Sequence, residues 1–98
     1  MKSLFNITKN NIKNGQKANP ENCAIAKAIK DEMKNKKVNL KRISVLPSNI
    51  NIEIFNEKTN KISYLSAKMP RSGENFIKDF DSNKKVLPFK LELNFTKV

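Results

Sequence analysis

The end of the chain carries a two-residue repeat that restricts the fold more than any other feature of this sequence. Within the segment Val86–Phe95, apolar side chains alternate with lysine, glutamate and asparagine; the apolar set is Phe89, Leu91, Leu93 and Phe95. Successive side chains of a β-strand point to opposite faces, so the pattern predicts a strand with one buried face. Because Pro88 cannot donate to a sheet, we expect the strand to begin on an edge or after that residue.

Four earlier segments predict further strands. The clearest is the run 50–54, in which isoleucine alternates with asparagine and glutamate. A polar connector, 56–60, separates it from another alternating run at 62–64, and two such runs joined by a short polar loop predict a β-hairpin. The full set of predicted strands is 2–7, 38–46, 50–54, 62–64 and 86–95.

A long amphipathic helix is predicted after a polar loop at 16–19. Asn19 is a preferred N-cap residue and Pro20 suits the first helical position, so we expect the helix to begin there. One side of the helix is apolar and the other is basic: the apolar arc contains Ile25, Ala26, Ala28, Ile29 and Met33, and the basic side contains Lys27, Lys30 and Lys34. Such a helix covers one face of a sheet with its apolar arc.

Two shorter helical segments are also predicted. Residues 8–14 form a helical turn that Gly15 closes as a C-cap glycine. A two-turn helix follows from Glu74 to Asp81, with Ser72 as its N-terminal cap. Its apolar face contains Phe76, Ile77 and Phe80.

The resulting order of elements, β-α-β-β-β-α-β, predicts an α+β domain. The helices are too few and too short to cover both faces of a parallel sheet. We therefore expect a small single domain, 1–98, in which a mostly antiparallel sheet of about four to five strands packs against one amphipathic helix and a short second helix.

The single cysteine and the distribution of apolar residues indicate how the domain is held together. Apolar residues make up 38% of the 98 residues and are spread along the chain, which is typical of a folded domain. One Cys cannot form an internal disulfide, so the core alone must stabilise the fold. No signal-peptide core or membrane-length apolar run is present in the sequence, and we expect a cytoplasmic protein with no membrane partner.

The residue types exclude most familiar catalytic mechanisms. Without histidine, the chain has no imidazole for general base catalysis and no nitrogen ligand for zinc. Cys23 lies near a helix start, where a functional thiol is one interpretation and a packed structural residue is the favoured one. Asp79 and Asp81 are two residues apart on a helix and do not face each other. We expect no enzyme, no catalytic residues, no metal site and no cofactor.

The strongest candidate for a binding surface is basic. The net charge is +11, and seven of the cations fall within sixteen positions, which we name the basic segment: Lys27, Lys30, Lys34, Lys36, Lys37, Lys41 and Arg42. An acidic partner, with nucleic acid first, is one interpretation. The other is a solvated surface enriched in lysine and asparagine by an AT-rich genome, because only two of the twenty cations are arginine.

Three segments carry a resemblance to known proteins. They are NPENCAIAKAI at 19–29, FIKDFD at 76–81 and VLPFKLEL at 86–93. Together they resemble a group of small phage-encoded proteins with a Cys-Pro-Ile-Ala-x-Ala helix start, where this chain has Ala24 for the proline, and a Phe-Asp … Val-x-Pro-Phe-x-Phe close. Small phage proteins of this kind include anti-CRISPR inhibitors, which act by binding. The resemblance implies a non-enzymatic phage or prophage protein that inhibits a host CRISPR-Cas complex in the bacterial cytoplasm.

Two functions are therefore expected from the sequence. In the first, the inhibitor occupies an acidic protein or nucleoprotein surface through the basic segment. In the second, the chain is an accessory protein that binds nucleic acid without sequence specificity, because clustered cations are sufficient for counterion release. Only Tyr64 and Phe55 are available as platforms on which bases stack, which is few for an aromatic-rich protein that binds single strands. The oligomeric state stays open.

Overall fold

The α+β class predicted from the sequence is confirmed by the computed structural model, which describes residues 2–98. The described chain forms three helices and six strands. In chain order they are β1 (Lys2–Ile7), α1 (Lys9–Asn14), α2 (Ala24–Asn35), β2 (Leu40–Val45), β3 (Asn49–Asn56), β4 (Lys61–Lys68), α3 (Arg71–Asp81), β5 (Phe89–Asn94) and β6 (Thr96–Lys97).

The strands are divided between two antiparallel sheets, whereas the sequence predicted one. β1 pairs with β5, and the other four strands follow the order β2-β3-β4-β6. The last segment joins both sheets, because β5 pairs with β1 and β6 pairs with β4. The change of partner takes place at Phe95, whose buried ring meets the ring of Phe5 edge-on at 6.3 Å between centroids. The alternation up to Phe95 is unbroken and gives no signal for this switch.

The predicted hairpin is confirmed, and its second strand is longer than predicted. β3 and β4 pair along their full length, from Asn49 opposite Lys68 to Asn56 opposite Lys61. The Asn56 side chain accepts hydrogen bonds from the amides of the connecting turn. Asn60 closes that turn with a φ of 58°, a left-handed conformation that asparagine tolerates better than most residues.

Helix α2 packs between the two sheets, where it contacts both β1 and β2. Its predicted apolar arc is confirmed: Ile25 and Ile29 are fully buried and Met33 is 3% exposed. Burying one such side chain contributes about 1.5–3 kcal/mol relative to leaving it in water. All buried apolar residues of the described chain belong to one cluster, and α2 supplies six of them.

The predicted start of this helix is wrong by four residues. Asn19 does cap backbone amides, since its Oδ1 accepts from the amides of Glu21 and Asn22 at 3.1 Å each. These amides belong to a separate turn, however, and the carbonyl of Pro20 accepts a hydrogen bond of 2.8 Å from the amide of Val45 in β2. This hydrogen bond to β2 keeps the turn separate from the helix, which begins at Ala24.

The prediction that Gly15 closes α1 is confirmed: Gly15 is the C-cap residue, and its amide donates to the carbonyl of Asn11 at 2.8 Å. Its φ is −70°, however, so the position does not require a left-handed residue. Glycine is needed there because the chain passes close to the start of α2. A Cβ on Gly15 would lie 2.6 Å from the amide nitrogen of Ala24 and 2.8 Å from the carbonyl oxygen of Asn11.

Helix α3 begins three residues before the predicted position. Pro70 occupies the N-cap position and Ser72 lies inside the first turn, so Ser72 does not cap the helix. The predicted apolar face is confirmed, because Phe76 and Phe80 are buried and stack at 5.7 Å between centroids. Phe76 also contacts Phe89 at the start of β5, at 4.8 Å between ring centroids.

We predict that Gly15→Ala lowers the free energy of unfolding by about 1–3 kcal/mol, because the new methyl group would overlap backbone atoms that cannot move aside. Gly73→Ala is the matched control. There the added Cβ would overlap the sulfur of Met69, a side-chain atom that can move aside more easily than backbone, and alanine improves the helix propensity. Urea denaturation measures both variants. Equal stability of Gly15→Ala and the wild type would contradict the close packing of residue 15 on α2.

Candidate functional site

Four cations of the basic segment meet at a groove between α2 and β2. Lys30 and Lys34 come from the helix, and Lys41 and Arg42 come from the strand. The groove has a volume of about 440 Å³. Its remaining lining residues are Glu21, Met33, Val38, Asn39, Leu40 and Ile43. We name this feature the α2–β2 groove.

The other three cations of the basic segment do not line this groove. Lys27 lines a separate pocket between α1 and α2, which Lys30 and Asp31 also line. Lys36 pairs with Glu32 one helical turn earlier, at 3.8 Å between Nζ and Oε1. Lys37 lies at the end of the helix, where it has a left-handed φ of 58°.

The end of α2 directs the chain into the groove. The amide of Val38 donates to the carbonyl of Met33 at 2.8 Å, and the amide of Lys37 donates to the carbonyl of Lys34 at 3.1 Å. With Lys37 left-handed, these two bonds form a Schellman motif, which commonly brings the flanking apolar residues together. Here those residues are Met33 and Val38, and both line the α2–β2 groove.

A β-bulge places Lys41. The pairing of β2 with β3 shifts between Leu40 and Arg42, so Lys41 is the extra residue on β2. A bulge locally disrupts the ladder and redirects a side chain. The ammonium group of Lys41 lies 5.8 Å from the centroid of the Phe55 ring on β3. Two polar residues between Leu40 and Ile43 break the two-residue repeat, and this was the sequence signal that could have revealed the bulge.

The four groove cations differ in the hydrogen bonds and ion pairs that their side chains already form within the protein. Lys30 donates to the carbonyl of Glu21 at 2.6 Å and to Oδ1 of Asn22 at 3.1 Å, so it holds the turn before α2. Arg42 lies 3.9 Å from Glu53, between Nε and Oε2. Lys34 is exposed, and its side chain forms no hydrogen bond or ion pair within residues 2–98. Sequence reasoning did not identify these internal partners, because they are distant or lie on other elements.

The groove provides charge and hydrogen-bond donors for an anion.

The candidate catalytic residues lie outside the groove or have structural partners. Cys23, the nucleophile considered from the sequence, is 7% exposed and lies outside the groove. Burial raises the pKa of its thiol, which disfavours the reactive thiolate. Asp81 accepts a hydrogen bond from the amide of Ala18 at 2.9 Å, whereas Asp79 lies 4.0 Å from Lys84. Across residues 2–98, no three His, Cys, Asp or Glu residues are grouped as metal ligands.

Comparisons with known proteins give no further assignment. No protein-family model, curated protein or solved structure matches this chain. The resemblance to small phage-encoded proteins stays a prediction, and the residues that carry it, such as Ala24, Phe76 and Phe80, are buried in the core. None of the helices formed by residues 2–98 is sufficiently long and apolar to cross a membrane.

We predict that burial of Cys23 makes the folded protein less stable as the pH becomes alkaline. Because burial raises the pKa of the folded thiol, the unfolded chain loses this proton first. The contribution of the thiol to the free energy of unfolding is therefore constant below about pH 9. It decreases as the pH rises above that value. The free energy of unfolding of the wild type, minus that of Cys23→Ala, should fall between neutral pH and about pH 10. A constant difference in urea titrations would contradict this burial.

Proposed function

We propose that this protein is a non-enzymatic binding protein that holds the phosphate backbone of a nucleic acid in the α2–β2 groove. The observation that carries the proposal is the convergence of cations from two elements, α2 and β2, on one groove. Clustered lysines bind a polyanion through counterion release. Lysine suits contacts with phosphates more than the bidentate reading of base edges, so we expect binding without sequence specificity.

The charges of the groove set the expected strength of binding. Lys34 and Lys41 are exposed and form no ion pair within residues 2–98, so they are ready to contact phosphates. Lys30 and Arg42 contribute only if a phosphate replaces Asn22 or Glu53 as their partner. Two to four phosphate contacts give a salt dependence of about −2 to −4 in log K against log salt on duplex DNA. Binding of this kind is weak and sensitive to salt.

We predict that reversing two groove charges removes at least half of the salt dependence. Lys34→Glu combined with Lys41→Glu should lower the salt slope by about two units, one for each lost phosphate contact. Fluorescence anisotropy with labelled duplex and single-stranded DNA and RNA at rising salt measures the slope.

The matched control is Lys84→Glu combined with Lys85→Glu, which makes the same change in net charge at exposed positions after α3. It should retain the wild-type slope. Two results would contradict the proposal: no micromolar binding by the wild type at about 0.15 M salt, or a wild-type slope for the groove variant.

A second candidate is the inhibitor function that the resemblance implies. In this proposal a phage or prophage protein acts in the cytoplasm of the host bacterium, where it occupies an acidic protein or nucleoprotein surface of a CRISPR-Cas complex. The internal partners of Lys30 and Arg42 favour it, because a groove in which two of the four cations have no such polar partner suits a compact acidic patch better than a long polyanion. Mimicry of DNA is excluded for this chain by its net charge of +11, since a mimic must be acidic.

We predict, for this candidate, that expression of the wild type restores plasmid transformation in a host whose CRISPR-Cas system targets that plasmid. The Lys34→Glu, Lys41→Glu variant should lose the effect, because it would present two acids to an acidic partner. The Lys84→Glu, Lys85→Glu control should keep it. Full interference in the presence of the wild-type protein would reject the inhibitor function.

A further inference from the structure

The outer face of the four-stranded sheet carries exposed aromatic and branched side chains. The inner face of the sheet is apolar and packs in the core, as Ile43, Ile50 and Ile52 show. On the outer face, Tyr64 is 54% exposed and Ile62 is 39% exposed. Large apolar groups that are grouped on an exposed surface commonly mark a binding site.

The strand register brings two aromatic rings together on this face. Phe55 lies opposite Ile62, and Glu53 lies opposite Tyr64. Residues opposite each other, and residues two apart on one strand, share a face. Phe55 and Tyr64 are therefore diagonal neighbours, and such positions lie about 7–8 Å apart along the sheet. Two aromatic side chains at neighbouring positions of one face provide adjacent platforms for flat ligands.

Cations connect this aromatic face with the α2–β2 groove. Lys41 lines the groove, and its ammonium group lies 5.8 Å from the Phe55 ring centroid. Arg42 also lines the groove and lies opposite Glu53, in the same cross-strand row as Tyr64. The groove and the aromatic face therefore meet along β2. A ligand that follows this surface passes from positive charge to the half-buried ring of Phe55 and the exposed ring of Tyr64.

Glu53 favours one orientation of the ligand on this surface. The residue lies between Arg42 and Tyr64 in the cross-strand row, its carboxylate is 3.9 Å from Nε of Arg42, and its side chain is 29% exposed. A phosphate above this position would be repelled, whereas an uncharged base would not. Phosphates are therefore favoured on the groove side of β2, and bases are favoured over β3 and β4.

We infer that Tyr64 and Phe55 stack the bases of a single-stranded nucleic acid whose backbone lies in the α2–β2 groove. The inference rests on the proposed nucleic-acid function. Single strands expose the π-faces of their bases, whereas the bases of a duplex are stacked on one another. An acidic protein surface would satisfy the cations but would bring no flat rings to Tyr64. DNA and RNA share the chemistry that this surface recognises.

We predict that Tyr64→Ala weakens binding of a labelled oligothymidylate and of an oligouridylate, each of about ten nucleotides, by about 5- to 150-fold. Binding of an abasic oligomer with the same deoxyribose-phosphate backbone should not change. Tyr64→Phe should retain most of the affinity because it keeps the ring. Fluorescence anisotropy at one fixed salt concentration measures all three ligands.

Leu87→Ala is the matched control, since it removes a 69% exposed apolar side chain from a loop outside the groove and the sheet. It should bind every oligomer like the wild type. Circular dichroism checks that the Tyr64 variants are folded, as expected for a position that is more than half exposed. A loss for Tyr64→Ala on both the thymidylate and the uridylate supports stacking on DNA and RNA, and a loss on one of them identifies the preferred strand.

The outcomes separate this inference from the proposed function. The wild type could bind every oligomer in a salt-dependent manner, with Tyr64→Ala leaving that binding unchanged. This result would overturn the stacking inference and keep the groove as a backbone site. An equal loss on the abasic oligomer, or a preference of the wild type for duplex DNA, would also overturn it. If the wild type binds none of the oligomers, the proposed nucleic-acid function fails and the stacking inference fails with it.

Discussion

Burial of the apolar arc of α2 between the two sheets is the interaction on which the rest of the structure depends. Ile25 and Ile29 are fully buried where the helix contacts β1 and β2. A two-stranded sheet such as β1–β5 is marginally stable by itself and needs a partner that covers its apolar face. With one cysteine and no disulfide, the chain relies on this contact to hold the sheets together. The same contact leaves Lys30 and Lys34 on the solvent side of the helix.

The α2–β2 groove follows from how that helix ends. The Schellman motif reverses the chain at Lys37, so β2 starts beside the last turn of α2 rather than at the far side of the core. Met33 and Val38 then form apolar lining, and the helix and strand cations surround it. The turn before α2 completes the site from the other end, because Lys30 and the backbone of Pro20 attach it to the helix and to β2.

Regular periodicity made the fold class and the buried faces predictable from the sequence. Leu91 and Leu93 are buried as the two-residue repeat predicted, and Ile29 is buried as the helical repeat predicted. Boundaries decided by distant contacts were not predictable. Asn19 has the local chemistry of a helix cap, but its turn is held apart from the helix by hydrogen bonds to residues distant in sequence, such as the one from the amide of Val45 to the carbonyl of Pro20. For the same reason, the sequence grouped all seven cations of the basic segment, whereas four of them line the groove.

The bulge at Lys41 bears on whether the positive charge has a function. An AT-rich genome can add lysine at any tolerant surface position, so the net charge of +11 alone does not distinguish a binding surface from a solvated one. Codon bias, however, does not create an irregularity in strand pairing. The bulge interrupts the β2–β3 ladder and sets one cation beside both the α2–β2 groove and the Phe55 ring. Bulges are frequent next to functional sites, where they redirect a side chain. The backbone of β2 therefore favours a binding role for these cations more strongly than their number does.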